Sequence, residues 1–529
     1  MSFTTGTDQP AAALVARAAA STVGSLFLST ARLYPQRIAI EDDGQDEIRI
    51  LTFADLAERV NRSASALAAL GVTRGARVAV LSENRLEYIE TQLACALLGA
   101  ITACQNWRLS PRELEHCIGL VAPTAILVSP RHTGILSDAA TAGIPVIQFG
   151  AEWERRLAAA SADTPPDVAE PEDPLLILYT SGTTGLPKGA VLTHRSQLAR
   201  MAAAPFDLGV RPGNTNLCWP PLYHMGGTEP AHYALLTGGR VIVLDAFDPD
   251  RIADKIETER FEWVSIMPGT LGRMIEVLER RSVRPLGLRT CGVMADLSPP
   301  AEVARLSELL DADFLNCFGS TETGTPPLSG RQLPRGATGD LGKAPSVGAE
   351  IRLVDPDDND VPDGGIGELA MRGPTLFSGY WNNEAATRKD FRNGWFHMGD
   401  LLRRRPDGLY DFVDRAKYLI KSGGENIYPA EIERVLVGHP DVRDAVVVRK
   451  KDDRWGEIPV AVVVSANPRL EAAELSALCR RELAGFKQPK AIHFVPPERI
   501  VRSTTGKVQR GVIESWVESW VDSQTVEPS

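Results

Sequence analysis

Apolar and polar positions alternate along this chain in two rhythms. Phe53, Leu56, Ala57, Val60, Ala64 and Leu67 recur at the three-to-four spacing of an amphipathic helix across residues 53–70. Residues 77–81 then read as a strand and 85–98 as another helix, with short apolar strands at 125–128 and 145–147. Residues 161–174, rich in Pro, Asp and Ala, read as an exposed connection that leads into a buried strand, Leu175 to Leu178. The alternation resumes with a strand at 240–244, a helix at 248–261 opened by Asp248, and a strand at 263–267. Strands interleaved with helices predict layered α/β architecture. From about Gly339 the strands shorten and turns such as Asp363-Gly364-Gly365 multiply, which predicts a small β subdomain. After Asp414 a compact α+β module follows: helix 429–437, strands 444–448 and 459–464, helix 471–483 and strand 492–495. Residues 522–529 read as a frayed end.

A chain of 529 residues has room for roughly three or four domains. The expected fold is therefore α/β: a large N-terminal domain of several subdomains over residues 1–414, layered α/β plus a small β part, and a smaller mobile α+β C-terminal domain over 415–529. Composition is that of a soluble globular protein, 43% hydrophobic and 24% charged. A net charge of −11 argues against nucleic-acid and anionic-membrane partners, so an anionic ligand must meet a local positive patch. The seven cysteines are scattered without metal-ligand spacing and read as reduced thiols. Residues 11–20 lack the basic start and Leu-rich core of a signal peptide, and no apolar run reaches the ~18 residues a membrane helix needs. A cytoplasmic location is expected.

The chemistry centres on Tyr179-Thr180-Ser181-Gly182-Thr183-Thr184-Gly185-Leu186-Pro187-Lys188-Gly189, directly after the buried strand. Three glycines allow tight turns and close approach of a ligand. Four hydroxyls stand beside backbone N–H groups, and Lys188 closes the run, as an anion nest for polyphosphate requires. The Gly-Lys-Ser/Thr order of a Walker A loop is missing.

This run resembles the signature of the adenylate-forming (AMP-binding) superfamily, of the acyl-CoA synthetase type. The other motifs follow in family order over nearly the whole chain. By that resemblance, Thr180, Ser181, Gly182, Thr183, Thr184, Gly185 and Lys188 would bind ATP phosphates. In Asn316-Cys317-Phe318-Gly319-Ser320-Thr321-Glu322-Thr323-Gly324, Phe318 would flank adenine, Thr321 would touch the α-phosphate and Glu322 would hold Mg²⁺, with Asn316, Cys317 and Gly319 beside them. Ala295 and Asp296 belong to a loop over the adenine face, where Met294 and Asp296 replace the usual Gly and Pro. Asp400 and Arg415 would hold the ribose. Lys507, in Thr504-Thr505-Gly506-Lys507-Val508-Gln509-Arg510, would be the catalytic lysine, beside Thr184, Glu322 and His224. The acyl pocket would involve His224, Met225, Gly226, Met267 and Gly324; with Gly269 and Thr270 nearby, no Arg is expected there, nor an Asp for an α-ammonium group. Lys417 would be the hinge of the small domain, and Lys421, Ser422, Gly423 and Gly424 would meet coenzyme A, with Lys450, Lys451 and Lys487 as further phosphate contacts.

The resemblance implies an acid–thiol ligase using ATP, Mg²⁺ and coenzyme A, and the expected substrate is an otherwise uncharged, largely apolar monocarboxylate, aromatic or a medium to long aliphatic chain, rather than an amino acid. The alternatives are an adenylating enzyme that loads an acyl carrier protein, and a nucleotide-binding protein with this fold and no turnover. Assembly as a homo-oligomer stays open.

Overall fold

The computed structural model describes residues 19–45, 47–180, 186–293, 295–296, 298–502 and 508–521. Four sheets organise these residues. The first lies in the order Val146–Gln148, Ala125–Val128, Arg77–Leu81, Ile101–Gln105, Pro174–Thr180, Lys188–Thr193. Its first five strands run parallel, and the last returns antiparallel to its neighbour. Strands buried on both faces carry the near-continuous apolar runs that the sequence shows: Ala79, Leu81, Ile126, Val128, Ile177 and Leu178 are all buried.

The strand Arg240–Val243 does not join Phe261–Ser265, its successor in sequence. It lies between Ile38–Asp42 and Thr215–Cys218 in a four-stranded sheet with Arg49–Thr52. Phe261–Ser265 instead begins a ten-stranded sheet that continues through Leu288–Val293, Asp313–Ser320, Gly324–Leu333 and Lys343–Pro345. The short strands beyond Gly339 extend this same sheet through one register pair, Lys343 opposite Tyr410. The β region is thus attached at a narrow seam.

The last module holds a five-stranded sheet around the long hairpin Val442–Asp452 and Gly456–Ser465. Two separate apolar clusters pack on its opposite faces, one with the helices Pro429–Val437 and Ala472–Glu482, the other with Arg510–Val521. Among the described residues no helix is long and apolar enough to cross a membrane.

Candidate active site

The elements converge on one face. Thr180 ends one strand and Lys188 opens the next, directly opposite in an antiparallel pair. Ser181, Gly182, Thr183, Thr184 and Gly185 lie outside the described residues, as does Lys507. Lys188 Nζ stands 3.4 Å from Asp390 Oδ2 and 3.6 Å from the centre of the Tyr380 ring.

Thr321 and Glu322 form the turn between Asp313–Ser320 and Gly324–Leu333, with Ser320 opposite Gly324. The Phe377 N–H donates to the Glu322 carbonyl at 2.9 Å, and the Tyr380 hydroxyl lies 3.0 Å from Glu322 Oε1. Arg200, wholly buried, braces this turn from behind. It donates to the Thr321 carbonyl at 3.1 Å and the Thr375 carbonyl at 2.8 Å, and pairs with Glu229 at 2.8 Å. Gly324 has φ +78°, and a Cβ there would come within 2.9 Å of Arg200 Cγ and Cδ. Glycine is needed at this position to let the Arg200 stem pass, apart from any lining of an acyl pocket.

Asp400 and Arg415 face each other in register on adjacent strands, Trp395–Arg404 and Tyr410–Arg415. Their side chains form an ion pair of 2.7 Å with Asp400 almost fully buried. The Asp400 carboxylate, with Glu322 beyond it, holds the Arg415 guanidinium above its usual pKa. The sequence order therefore brings the two expected ribose contacts together.

Around the expected adenine position, the Ala295 N–H donates to Asn316 Oδ1 at 2.8 Å, and Asn316 Nδ2 donates to the Leu341 carbonyl at 3.0 Å. Asp296 is buried against Lys343, whose side chain is wholly buried. Asp296 thus belongs to a buried ion pair, where one partner left alone costs about 3–5 kcal/mol. Phe318 is buried with its ring centre 5.8 Å from that of Phe412. Cys317 and Gly319, its neighbours on the other face of the strand, are only partly buried.

His224 caps the helix Met225–Leu236, its Nδ1 accepting the Gly226 N–H at 3.1 Å. That bond leaves the neutral ring's proton on Nε2. A Cβ on Gly226 would meet Met267 Cε at 3.4 Å, so His224, Gly226 and Met267 adjoin as expected. Next to Met267 opens a cleft of about 290 Å³ that also contacts Gly269, Thr270, Trp107, Trp219 and Phe247. Arg108 and Arg273 line it as well. The helix Leu271–Arg281 supplies Arg273 one turn beyond Thr270. Arg502 of the last module reaches the same cleft. Arg502 forms an isolated antiparallel bridge with Val508.

Lys417 sits in the single turn Ala416–Tyr418 that follows Arg415, its carbonyl accepting from Arg449. Beside it, burial pushes the Asp414 carboxyl up to about 6 against the pull of Arg510. Asp414 Oδ2 also accepts the Ala430 N–H at 2.8 Å. Lys421, Ser422, Gly423 and Gly424 lie on and at the tip of a small hairpin, with Gly423 N–H bonded to the Trp455 carbonyl at 2.8 Å. None of these four lines the cleft among the described residues. Lys487 is ion-paired with Glu431 at 2.8 Å.

Residues 27–381 match the AMP-binding enzyme family, and residues 431–507 match the AMP-binding enzyme C-terminal domain. The chain belongs to the AMP-binding enzyme family. Among its relatives is a feruloyl-CoA synthase from an Amycolatopsis species, 36% identical over 502 residues that cover 93% of this chain and 98% of the relative. An indoleacetate–CoA ligase from Aromatoleum aromaticum is 35% identical, covering 92% of this chain and 96% of the relative. The structure of o-succinylbenzoate CoA synthetase from Bacillus subtilis, in complex with its acyl-adenylate intermediate, superimposes with a TM-score of 0.82 at 27% identity, covering 94% of this chain and 98% of that one. As in that family, a large N-terminal part precedes a smaller C-terminal domain.

Proposed function

We propose that this family member is an AMP-forming acid–thiol ligase that activates an aromatic carboxylate and transfers it to coenzyme A. The observation that carries the reading is the convergence of Lys188, Glu322, Asp400 and Arg415 on one face, on a chain whose relatives over nearly their full length are CoA ligases.

In the first half-reaction the substrate carboxylate oxygen attacks the α-phosphorus of ATP, and the bond to pyrophosphate breaks. The residues act by position and charge rather than by covalent chemistry. Asp400 accepts from the ribose hydroxyls while Arg415, tied to it, fixes its orientation. The phosphate loop and Lys188 hold the departing pyrophosphate. Lys507 neutralises charge gathering between carboxylate and α-phosphate. Oxygen donors suit a hard cation, and Glu322 is a partly exposed carboxylate linked through Tyr380 to the Lys188–Asp390 pair, so it fits Mg²⁺, which takes few protein ligands. When bound, that ion supplies positive charge to the phosphates. His224, with its ring proton on Nε2, donates toward the substrate carboxylate.

In the second half-reaction the thiol sulfur of coenzyme A, having lost its proton, attacks the acyl carbonyl carbon and the bond to AMP breaks. We assign the turn at Lys417 to the rotation that withdraws Lys507 and brings Gly424 in. The Arg502 side of the last module facing the cleft, with Gly424 away from it, supports reading this arrangement as that of the first half-reaction.

Aromatic acids are supported by the relatives' substrates and by the flat walls of Trp107, Trp219 and Phe247. A second reading, an aromatic acid with a distal carboxylate, is favoured by Arg273 beside Gly269 and Thr270. A competition panel of cinnamate and benzoate types, a succinylbenzoate type, graded fatty acids and free amino acids tests both. The highest kcat/KM is expected for an aromatic acid, and an amino acid as the best substrate would overturn the pocket assignment. One methylene changes discrimination by only about 1–3 kcal/mol, so differences within a class will be modest.

A further inference from the structure

The Tyr380 phenol joins the two charged halves of the phosphate site. Its oxygen lies 3.0 Å from Glu322 Oε1 and 3.0 Å from Asp390 Oδ2. Lys188 Nζ approaches the same Asp390 oxygen at 3.4 Å and caps the Tyr380 ring. The backbone on both sides is fixed. Ala190 bridges to Tyr380, the Trp381 N–H donates to the Gly189 carbonyl at 2.8 Å, and the Phe377 N–H donates to the Glu322 carbonyl at 2.9 Å. The segment 377–381 is thereby stitched to the strand leaving the phosphate loop at one end and to the Glu322 turn at the other.

A phenol carries one proton, and ionised carboxylates carry none. Tyr380 can therefore donate to only one of its two acceptors at a time. Asp390 already has the Lys188 ammonium, whereas no ion pair to Glu322 stands among the described residues. The phenol proton is thus directed to Glu322, which fixes one carboxylate oxygen and turns the other outward.

We propose that Tyr380, backed by Asp390 and Lys188, is a positioning residue that orients Glu322 toward the divalent cation and so sets how strongly that cation assists ATP binding. The inference rests on Glu322 being the metal ligand. Groups that hydrogen-bond a ligating carboxylate typically change metal affinity 10- to 100-fold when removed.

The test needs no turnover. The affinity of the full-length protein for α,β-methylene-ATP is measured calorimetrically, once with saturating Mg²⁺ and once with a chelator, and the ratio of the dissociation constant with chelator to that with Mg²⁺ is compared among variants. Tyr380→Phe keeps the ring, its contact with Phe377 at 4.9 Å between centres and the lysine above it, and removes only the oxygen. The ratio is expected to fall about tenfold or more in Tyr380→Phe and in Glu322→Gln. The double variant should fall little further, because both changes break one interaction. An unchanged ratio in Tyr380→Phe, with a collapsed ratio in Glu322→Gln, would overturn the inference and leave the metal assignment standing. An unchanged ratio in Glu322→Gln would overturn the metal assignment, and the inference with it.

Discussion

Lys507→Ala is expected to lower the rate of adenylation about 10²–10³-fold while sparing thioester formation from supplied acyl-AMP. A cation placed where charge develops in a water-poor site is worth about 3–4 kcal/mol. Lys507 belongs to the motif Thr504 to Arg510; of its sequence neighbours, Arg502 and Val508 pair with each other and Arg502 lines the cleft. Arg510, three residues on, is buried in a fork on Glu433. Measuring both half-reactions on the same preparation separates the roles. Equal loss in both would make Lys507 a structural residue.

Gly424→Leu is expected to give the opposite result, with pyrophosphate release retained and thioester formation blocked. Nothing lies within 4 Å of the position a Cβ would take on Gly424, so a leucine has room in the present arrangement. Its φ of +88° means that any L side chain strains the hairpin tip locally. The strain falls on an exposed turn far from the Glu322 and Asp400 side chains in sequence and in sheet. In the rotated arrangement the same side chain would enter the path of the pantetheine arm. Normal coenzyme A consumption by this variant would remove Gly424 from that path.

The contrast between these variants reflects what the sequence displays. Motifs that bind through backbone and contiguous side chains, such as residues 179–189 and 316–324, are legible because their chemistry is local. Asp400 and Arg415 were also legible, and register explains their meeting: strands of a hairpin set them opposite each other. The helix Met225–Leu236 carries little local signal, because Gly226, Gly227 and Pro230 are poor helix formers. Burial decides it instead: a Cβ on Gly227 would come within 2.5 Å of the Pro220 and Pro221 carbonyls, so that turn packs closer than a side chain permits.

Tyr380 and Asp390 carry no local signal. They lie 58 and 68 residues beyond Glu322, and only the pairing of segment 377–381 with the strand after the phosphate loop brings them to it. Lys343 is hidden for another reason. A lysine in a short polar stretch reads as solvated, yet Asp296 lets it lie wholly buried. That pair also gives Asp296, a departure from the family pattern, a structural occupation of its own. The placement of Arg240–Val243 in a different sheet from Phe261–Ser265 was equally invisible, since both strands are short apolar runs of the same texture.

The central claim is that one protein forms a bound acyl-adenylate and then hands it to a thiol. A single-turnover quench of the enzyme with ATP, Mg²⁺ and its best aromatic acid tests it most directly, first without and then with coenzyme A. Without coenzyme A, one equivalent of pyrophosphate per active site should appear while acyl-AMP stays bound. Adding coenzyme A should then release AMP and the thioester together. Release of ADP and phosphate, or no pyrophosphate until coenzyme A is present, would contradict the account.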